Sequence, residues 1–312
     1  MERGMNERIR KLRKQSLETE PHIYMERAKL ETEAYMMYEG SVSVPELRAL
    51  AFKHFMEHKA LCINDGELIV GEKGDGPQAA PSFPELCCHT VEDMKVMDAR
   101  DLIYFRVSEE DLKVQEETII PFWEKRSIRH KILENMSEEW KDAYAAGIFT
   151  EFMEQRGPGH TVGSEKIYKK GFQDYKNDII EARNRLDFLN DKEAFDKKAQ
   201  LNAMEICCDA IMILGERYAA YARELAEKET DEIRKQELLQ IAANCDVVPA
   251  HAPKTFWQAI QMYWFVHLGV TTELNPWDAY SPGRLDQHLN PFYQKDTEDG
   301  ILDDEKALEL LE

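Results

Sequence analysis

The sequence predicts an α/β fold that is mostly helical. Two long segments repeat apolar residues at three- and four-residue steps, one from about Asp191 to Glu229 and one after Pro253. One short apolar run, Ile63 to Glu72, is bounded by turn residues as a β-strand would be. With 43% apolar and 32% charged residues, the 312-residue chain can bury a core of ordinary composition.

The first third of the chain is predicted to hold three helices. Ile9 and Leu12 mark a short basic amphipathic helix. We expect a second helix over roughly His22 to Tyr38 and a third after Pro45, because proline suits the first turn of a helix. Glycines and prolines between residues 74 and 84 predict a loop after the β-type run.

Further helix starts are indicated by capping-box spacing, at Thr90 with Asp93 and at Ser108 with Asp111. The long helix is predicted to bury a single stripe of side chains: Met204, Cys207, Ile211, Leu214, Tyr218, Tyr221 and Leu225.

The C-terminus opens a helix at a capping aspartate within Leu302 to Glu312, and the chain ends there with no Gly, Asn or Pro to stop it. Two interpretations remain open. The segment is either a natural terminal helix or an element within which a longer polypeptide has been cut.

Charge and composition exclude several classes of protein. Forty basic against sixty acidic residues give a net charge of −20, which disfavours binding to nucleic acid or to an anionic membrane surface. No window reaches 18 apolar residues, and Met1 to Glu7 contains no apolar signal segment. We therefore expect a soluble, cytoplasmic protein.

Metal and nucleotide sites are not predicted. The six cysteines form no C-x-x-C pair, and reduced, mostly buried thiols are the expected state. Adjacent side chains diverge, so Cys87 to His89 is a poor metal site. The glycine-rich stretch Gly157 to Gly163 fails the dinucleotide pattern because Val162 stands where glycine is required.

Two segments carry candidate functional groups. Phe152 to His160 sets an aromatic ring, charged groups and an imidazole around a glycine-rich turn. A histidine in such a loop is more often structural than catalytic. Both a structural and a catalytic role therefore stay open for His160. Asn275 to Gln287 is a rigid polar turn in which Asp278 has aromatic neighbours that would desolvate its carboxylate.

An ordered set of motifs resembles the N-terminal part of glycyl radical enzymes of the pyruvate formate-lyase-like superfamily, and most of all its hydroxyproline dehydratase branch. The resemblance runs across nearly the whole chain. It is carried by residues 67–71, 121–123, 159–160 with 171–172, 248–249 with 255–261, and 283–287, while residues 151–156, 159–162 and 271–275 indicate the branch.

The resemblance implies a ten-stranded α/β barrel of the pyruvate formate-lyase type, of which residues 1–312 would be the mostly helical N-terminal portion of a single domain. It also implies a glycyl radical near the C-terminus, installed by a radical SAM activating enzyme, and a cysteine that carries the radical to the substrate. Neither the Cys-x-Glu loop nor the glycyl box is in this sequence. We therefore expect an inactive piece of a homodimeric enzyme of anaerobic metabolism, with exposed apolar surface.

The resemblance places three residues in the substrate pocket. Phe152 would pack on the pyrrolidine ring of trans-4-hydroxy-L-proline. His160 would hydrogen-bond or protonate the leaving hydroxyl, and Asp278 would pair with the substrate ammonium or hydroxyl. Two alternatives stay open: another glycyl radical eliminase, such as a diol dehydratase, a C–N lyase or a formate acetyltransferase-like enzyme, and a non-catalytic helical scaffold.

Overall fold

Helices dominate the computed structural model, which describes residues 6–148, 160–274 and 280–312. Both of its short strand pairs, β1 with β2 and β3 with β4, are parallel. The elements are α1 (Glu7–Glu18), β1 (His22–Tyr24), α2 (Glu26–Tyr38), α3 (Val44–His58), β2 (Ala79–Pro81), α4 (Val91–Ala99), α5 (Glu109–Val114), a π-helical turn (Gln115–Ile119), α6 (Ile120–Trp123), α7 (Ile128–Asn135), α8 (Glu138–Ala145), β3 (His160–Thr161), α9 (Lys166–Lys169), α10 (Phe172–Asn184), α11 (Ala194–Lys228), α12 (Glu232–Val247), α13 (Phe256–Leu274), β4 (Tyr280–Ser281), α14 (Leu285–Glu298) and α15 (Asp304–Leu311).

Most predicted helices are present with the expected start signals. Thr90 and Ser108 each form a full capping box, and the hydroxyl of Ser43 caps α3 just ahead of Pro45. The aspartate that opens α15 is Asp303, whose carboxylate accepts the amide of Lys306. Among the described residues, no helix is long and apolar enough to cross a lipid bilayer.

Two helix predictions need correction. The second helix begins at Glu26 rather than His22, because residues 22–24 pair with β2 instead. The stripe on α11 is buried at Ile211, Leu214 and Tyr218, but Met204 is half exposed. The buried face of α11 is rich in alanine around these three positions, and small side chains let α3 and α12 pack closely against it.

The prediction of a strand at residues 63–72 is wrong, since the segment pairs with no strand in the part of the chain that the structure describes. Side chains of α13 bond the backbone groups of residues 68, 70 and 71 instead. Gln261 forms both backbone hydrogen bonds of Val70, and Trp257 and Trp264 donate to the carbonyls of Leu68 and Gly71. An apolar extended segment therefore crosses a helix face rather than joining a sheet.

Helix α13 contributes to two of the three hydrophobic cores. Phe265 and Leu268 belong to a core shared with α3, α11 and α12, whereas Met262 and Val266 belong to a second core with α9, α14 and α15. A third core lies around Trp123, between α2, α4 and the π-helical turn. Two sides of α13 are therefore packed against cores, which positions the side chains described next.

Candidate functional site

One face of α13 presents Tyr263, Trp264 and His267. The His267 ring stacks on Trp264 with 5.5 Å between ring centroids, and its Nδ1 lies 3.4 Å from the Tyr263 hydroxyl. Trp264 donates its indole N–H to the Gly71 carbonyl over 2.7 Å. Gly71 has a φ of +134°, and a Cβ there would lie 3.0 Å from the indole nitrogen. Glycine thus lets the 63–72 segment lie directly on this face.

Strands β3 and β4 bring two distant parts of the chain together beside that face. Their register pairs His160 with Tyr280, and the Val162 amide donates to the Ser281 carbonyl over 3.0 Å. The Tyr280 ring meets His267 edge-on, at 6.5 Å between centroids. The backbone of His160 therefore lies one strand spacing, about 4.8 Å, from a residue that contacts His267. We call these residues and the face of α13 the β3–β4 site.

The surroundings of His267 and Tyr263 favour the uncharged form of each side chain. Burial lowers the pKa of His267, and the positive charge of Lys73 lowers it further. Burial raises the pKa of Tyr263. A neutral imidazole beside a neutral phenol can donate or accept hydrogen bonds without bringing charge into the site.

The C-terminal end of α13 is held by two arginines from other helices. Arg27 of α2 is almost fully buried and donates to the Thr272 carbonyl over 2.9 Å and to the Glu85 carboxylate over 2.7 Å. Arg48 of α3 forms an ion pair with Glu273. A guanidinium at a helix C-terminus also interacts favourably with the helix dipole. These contacts fix where the chain leaves α13 for residues 275–279.

Three carboxyl groups share this buried region with the two guanidinium groups. Burial raises the pKa of Glu31, an effect that Arg27 opposes and Glu85 and Glu273 increase. Burial likewise raises the pKa of Glu273 against the attraction of Arg48. A protonated Glu31 would leave two positive and two negative groups, which is the balanced state in a desolvated site.

A cavity of about 810 Å³ opens beside the Arg48–Glu273 pair. Tyr175 of α10 and Cys207 of α11 also line it. A smaller cavity of about 320 Å³ lies at Tyr263, on the side of α13 that faces α14 and α15. Helix α13 is thus flanked by open space along both its charged end and its aromatic face.

The structure locates only part of the predicted site. Phe152 and Asp278 lie outside the described residues, and His160 is described by its backbone in β3. Sequence reasoning missed His267 and Arg27 as site residues. The four-residue step from Tyr263 to His267 could have indicated a pair. Arg27 gave no local signal, because the Thr272 carbonyl that it binds is 245 residues away.

Comparisons with known proteins agree with this architecture. A family model described as pyruvate formate lyase-like matches residues 5–312. The chain belongs to the pyruvate formate lyase-like family. Its sequence is 64% identical to trans-4-hydroxy-L-proline dehydratase of Clostridioides difficile, over all of this chain and 40% of that protein.

Two solved structures of similar proteins superpose on this pyruvate formate lyase-like chain. Hydroxyproline dehydratase from C. difficile, with trans-4-hydroxy-L-proline bound, superposes with a TM-score of 0.95 at 64% identity, covering 100% of this chain and 39% of that one. The glycerol-bound B12-independent glycerol dehydratase from Clostridium butyricum superposes with a TM-score of 0.91 at 30% identity. The match covers 100% of this chain and 39% of that one. The predicted fold class, the helical N-terminal part of a pyruvate formate-lyase-type barrel, is confirmed. The chain spans about two fifths of the length of each of these relatives.

Proposed function

We propose that the protein to which this chain belongs is a hydro-lyase that removes water from trans-4-hydroxy-L-proline to give a pyrroline-5-carboxylate. The observation that carries the proposal is the 64% identity to a trans-4-hydroxy-L-proline dehydratase over all 312 residues, across both candidate segments. The chain spans about two fifths of that relative, so the activity proposed is that of the whole protein.

The substrate pocket is proposed to use Phe152, His160 and Asp278. Asp278 pairs with the substrate ammonium, because a zwitterion in a dry site needs a counter-charge. His160 protonates the leaving hydroxyl, and Phe152 covers the pyrrolidine ring and excludes water. Two features support this assignment. Strand β3 sets the backbone of His160 opposite Tyr280, and Tyr280 follows Asp278 by two residues in the sequence.

The radical chemistry is proposed to come from outside these 312 residues. A glycyl radical installed by a radical SAM activating enzyme would supply hydrogen-atom abstraction. The cysteines of this chain do not suit that chemistry, since none lies in a Cys-x-Glu sequence. Burial also raises the pKa of Cys88 and Cys207 to about 12. The proposed role of this chain is therefore to bind and orient the substrate and to supply the proton for the leaving hydroxyl. Alone it is expected to be inactive.

The assembly proposed is a cytoplasmic homodimer in which residues 1–312 form part of one pyruvate formate-lyase-like domain. Exposed apolar surface on the isolated chain stays a prediction. The net charge of −20 supports a small-molecule enzyme rather than one that binds nucleic acid or a membrane.

A diol dehydratase is the second candidate, because the glycerol dehydratase superposes almost as closely, with a TM-score of 0.91. The two candidates differ in charge at the substrate. A zwitterionic imino acid needs a carboxylate partner such as Asp278, whereas a neutral diol needs hydrogen bonds only.

The test is to express the full-length protein, activate it anaerobically and compare trans-4-hydroxy-L-proline with glycerol and propane-1,2-diol. We expect one pyrroline-5-carboxylate and one water for each hydroxyproline consumed, and no turnover of the diols. Turnover of a diol alone would replace the proposal with the second candidate. A full-length protein without a glycyl radical box would favour a non-catalytic scaffold.

A further inference from the structure

The outer face of α3 groups two histidines and a glutamate. His54, Glu57 and His58 are three and four residues apart, so they share one side of the helix. Each offers one ligand atom, and these atoms all lie within 4.8 Å of one another. The two imidazole rings are 4.3 Å apart between centroids. None of these three residues belongs to the β3–β4 site or has a role in the proposed dehydration.

Both imidazoles have one ring nitrogen held by an acceptor. His58 donates from Nδ1 to the carbonyl oxygen of His54 over 2.8 Å. His54 donates from Nε2 to the carboxylate of Glu33 on α2 over 3.2 Å. These acceptors fix the tautomers, so the second nitrogen of each ring carries a lone pair. Metal-binding histidines are oriented in this way, by a backbone carbonyl or a carboxylate behind the ring.

We propose that His54, Glu57 and His58 form a binding site for a late first-row divalent cation such as Zn²⁺, with Glu33 as the group that orients His54. Two imidazoles and a carboxylate suit Zn²⁺, Cu²⁺ or Ni²⁺ rather than Mg²⁺ or Ca²⁺, which prefer oxygen ligands alone. Three protein ligands leave a fourth position for water.

One existing contact competes with the metal. Lys53 lies 3.7 Å from the Glu57 carboxylate, and both side chains are about one third exposed. An exposed pair of this kind contributes little, so a dication held by two imidazoles displaces the lysine.

The spacing H-x-x-E-H also occurs on zinc helices of one class of metalloproteases. There the glutamate is the general base and a further ligand completes the site. Here Glu57 is needed as a ligand, so the structure supports metal binding and not peptide hydrolysis.

The test is a Zn²⁺ titration of the purified chain in a Cys87→Ser/Cys88→Ser background. These substitutions remove the one adjacent pair of thiols in which neither is buried, since Cys208 of the other pair is buried. We expect one saturable site. His58→Ala should weaken binding by at least about tenfold, and Glu33→Gln should weaken it by about 10- to 100-fold, as is typical when an orienting partner is lost. His22→Ala, at a histidine paired with Asp75 elsewhere, is the matched control and should bind normally.

His58 is exposed, so its replacement should leave the fold intact, and circular dichroism checks this. Absence of saturable binding in the parent chain overturns the proposal. So does unchanged affinity in both His54→Ala and His58→Ala. The outcome does not depend on the dehydratase assignment, because the readout is metal affinity and not turnover.

Discussion

The side-chain amide of Gln261 forms both backbone hydrogen bonds of Val70, accepting from its N–H over 2.9 Å and donating to its carbonyl over 2.8 Å. Both residues are buried, so water cannot replace these bonds. One helix side chain thus does for Val70 what a neighbouring strand would do in a sheet. This contact fixes the 63–72 segment on α13.

Replacing Gln261 with leucine should destabilise the protein strongly. Leucine has a similar volume but leaves two buried backbone groups unpaired, each of which costs about 1–3 kcal/mol. Urea unfolding of the chain measures the change. Gln236→Leu, on an exposed face of α12, is the matched control and should have a small effect. Equal stability of Gln261→Leu and the parent would show that the segment does not depend on this amide.

Structure that depends on residues close together in the sequence could be predicted, whereas structure that depends on residues far apart could not. The capping boxes at Thr90 and Ser108 involve groups three residues apart, and both predictions are confirmed. The extended segment at Val70 depends on a glutamine 191 residues away, so its apolar pattern suggested a strand wrongly. The long helices followed from their periodicity.

The same distinction between local motifs and distant contacts applies to the candidate site. His160 was placed in the pocket by the family resemblance, which includes its glycine-rich motif, and its role stays a prediction. The arginines that hold the end of α13 were not identified, because Arg27 and Arg48 join elements that are adjacent only after folding. Likewise, nothing in the sequence pairs His160 with Tyr280 before β3 and β4 meet.

Arg27→Met should cost about 3–5 kcal/mol of unfolding free energy, because it leaves the partly buried Glu85 carboxylate without its guanidinium partner and the Thr272 carbonyl without its donor. Denaturant unfolding at neutral pH checks this value. Arg106→Met breaks an ion pair with Glu20 that is largely exposed, and should change stability little. Similar small losses in both variants would mean that the Arg27 contacts do not stabilise the end of α13.

Glu31→Gln should become more stabilising, relative to the parent, as the pH rises. The pKa of Glu31 in the folded state is raised above 4.5, so the folded state binds a proton that the unfolded state has lost. The stability that this bound proton contributes is fully present below pH 4.5. It is lost as the pH rises through the pKa of Glu31 in the folded state. Gln cannot ionise and avoids the loss.

The measurement for Glu31 is the difference in unfolding free energy between variant and parent at pH 5 and at pH 9. We expect the unfolding free energy of the variant, relative to that of the parent, to be higher at pH 9 than at pH 5 by more than about 1 kcal/mol. Glu216→Gln, at an exposed position on α11, should show no such shift. A difference that does not depend on pH would mean that Glu31 is already ionised in the folded protein.

His160→Gln in the activated full-length enzyme should act mainly on kcat. If His160 protonates the leaving hydroxyl, its loss removes general acid catalysis, typically about 10²- to 10⁴-fold. Steady-state kinetics at equal glycyl radical content, quantified by electron spin resonance, separates kcat from KM. A higher KM with unchanged kcat would make His160 a binding residue and not the proton donor.

Asp278→Asn in the same enzyme should lower kcat/KM by roughly 10- to 150-fold. The substitution keeps the volume but removes a charge-assisted hydrogen bond worth about 1.5–3 kcal/mol. Radical content should be unchanged, because the proposed glycyl radical lies outside these 312 residues. Turnover equal to the parent at equal radical content would remove Asp278 from the site, and reduced radical content would require repeating the assay in a variant that activates fully, such as Asp278→Glu.

The most direct measurement replaces the corresponding N-terminal part of the C. difficile hydroxyproline dehydratase with residues 5–312 of this chain. The 64% identity and the TM-score of 0.95 support this exchange, and the rest of that enzyme supplies the three fifths of its length that this chain does not span. After anaerobic activation, we predict that the chimera forms pyrroline-5-carboxylate from trans-4-hydroxy-L-proline, with kcat/KM within about tenfold of the parent enzyme, or 1.4 kcal/mol. A chimera that carries the full radical but does not dehydrate hydroxyproline would contradict the proposal that this chain builds the substrate pocket.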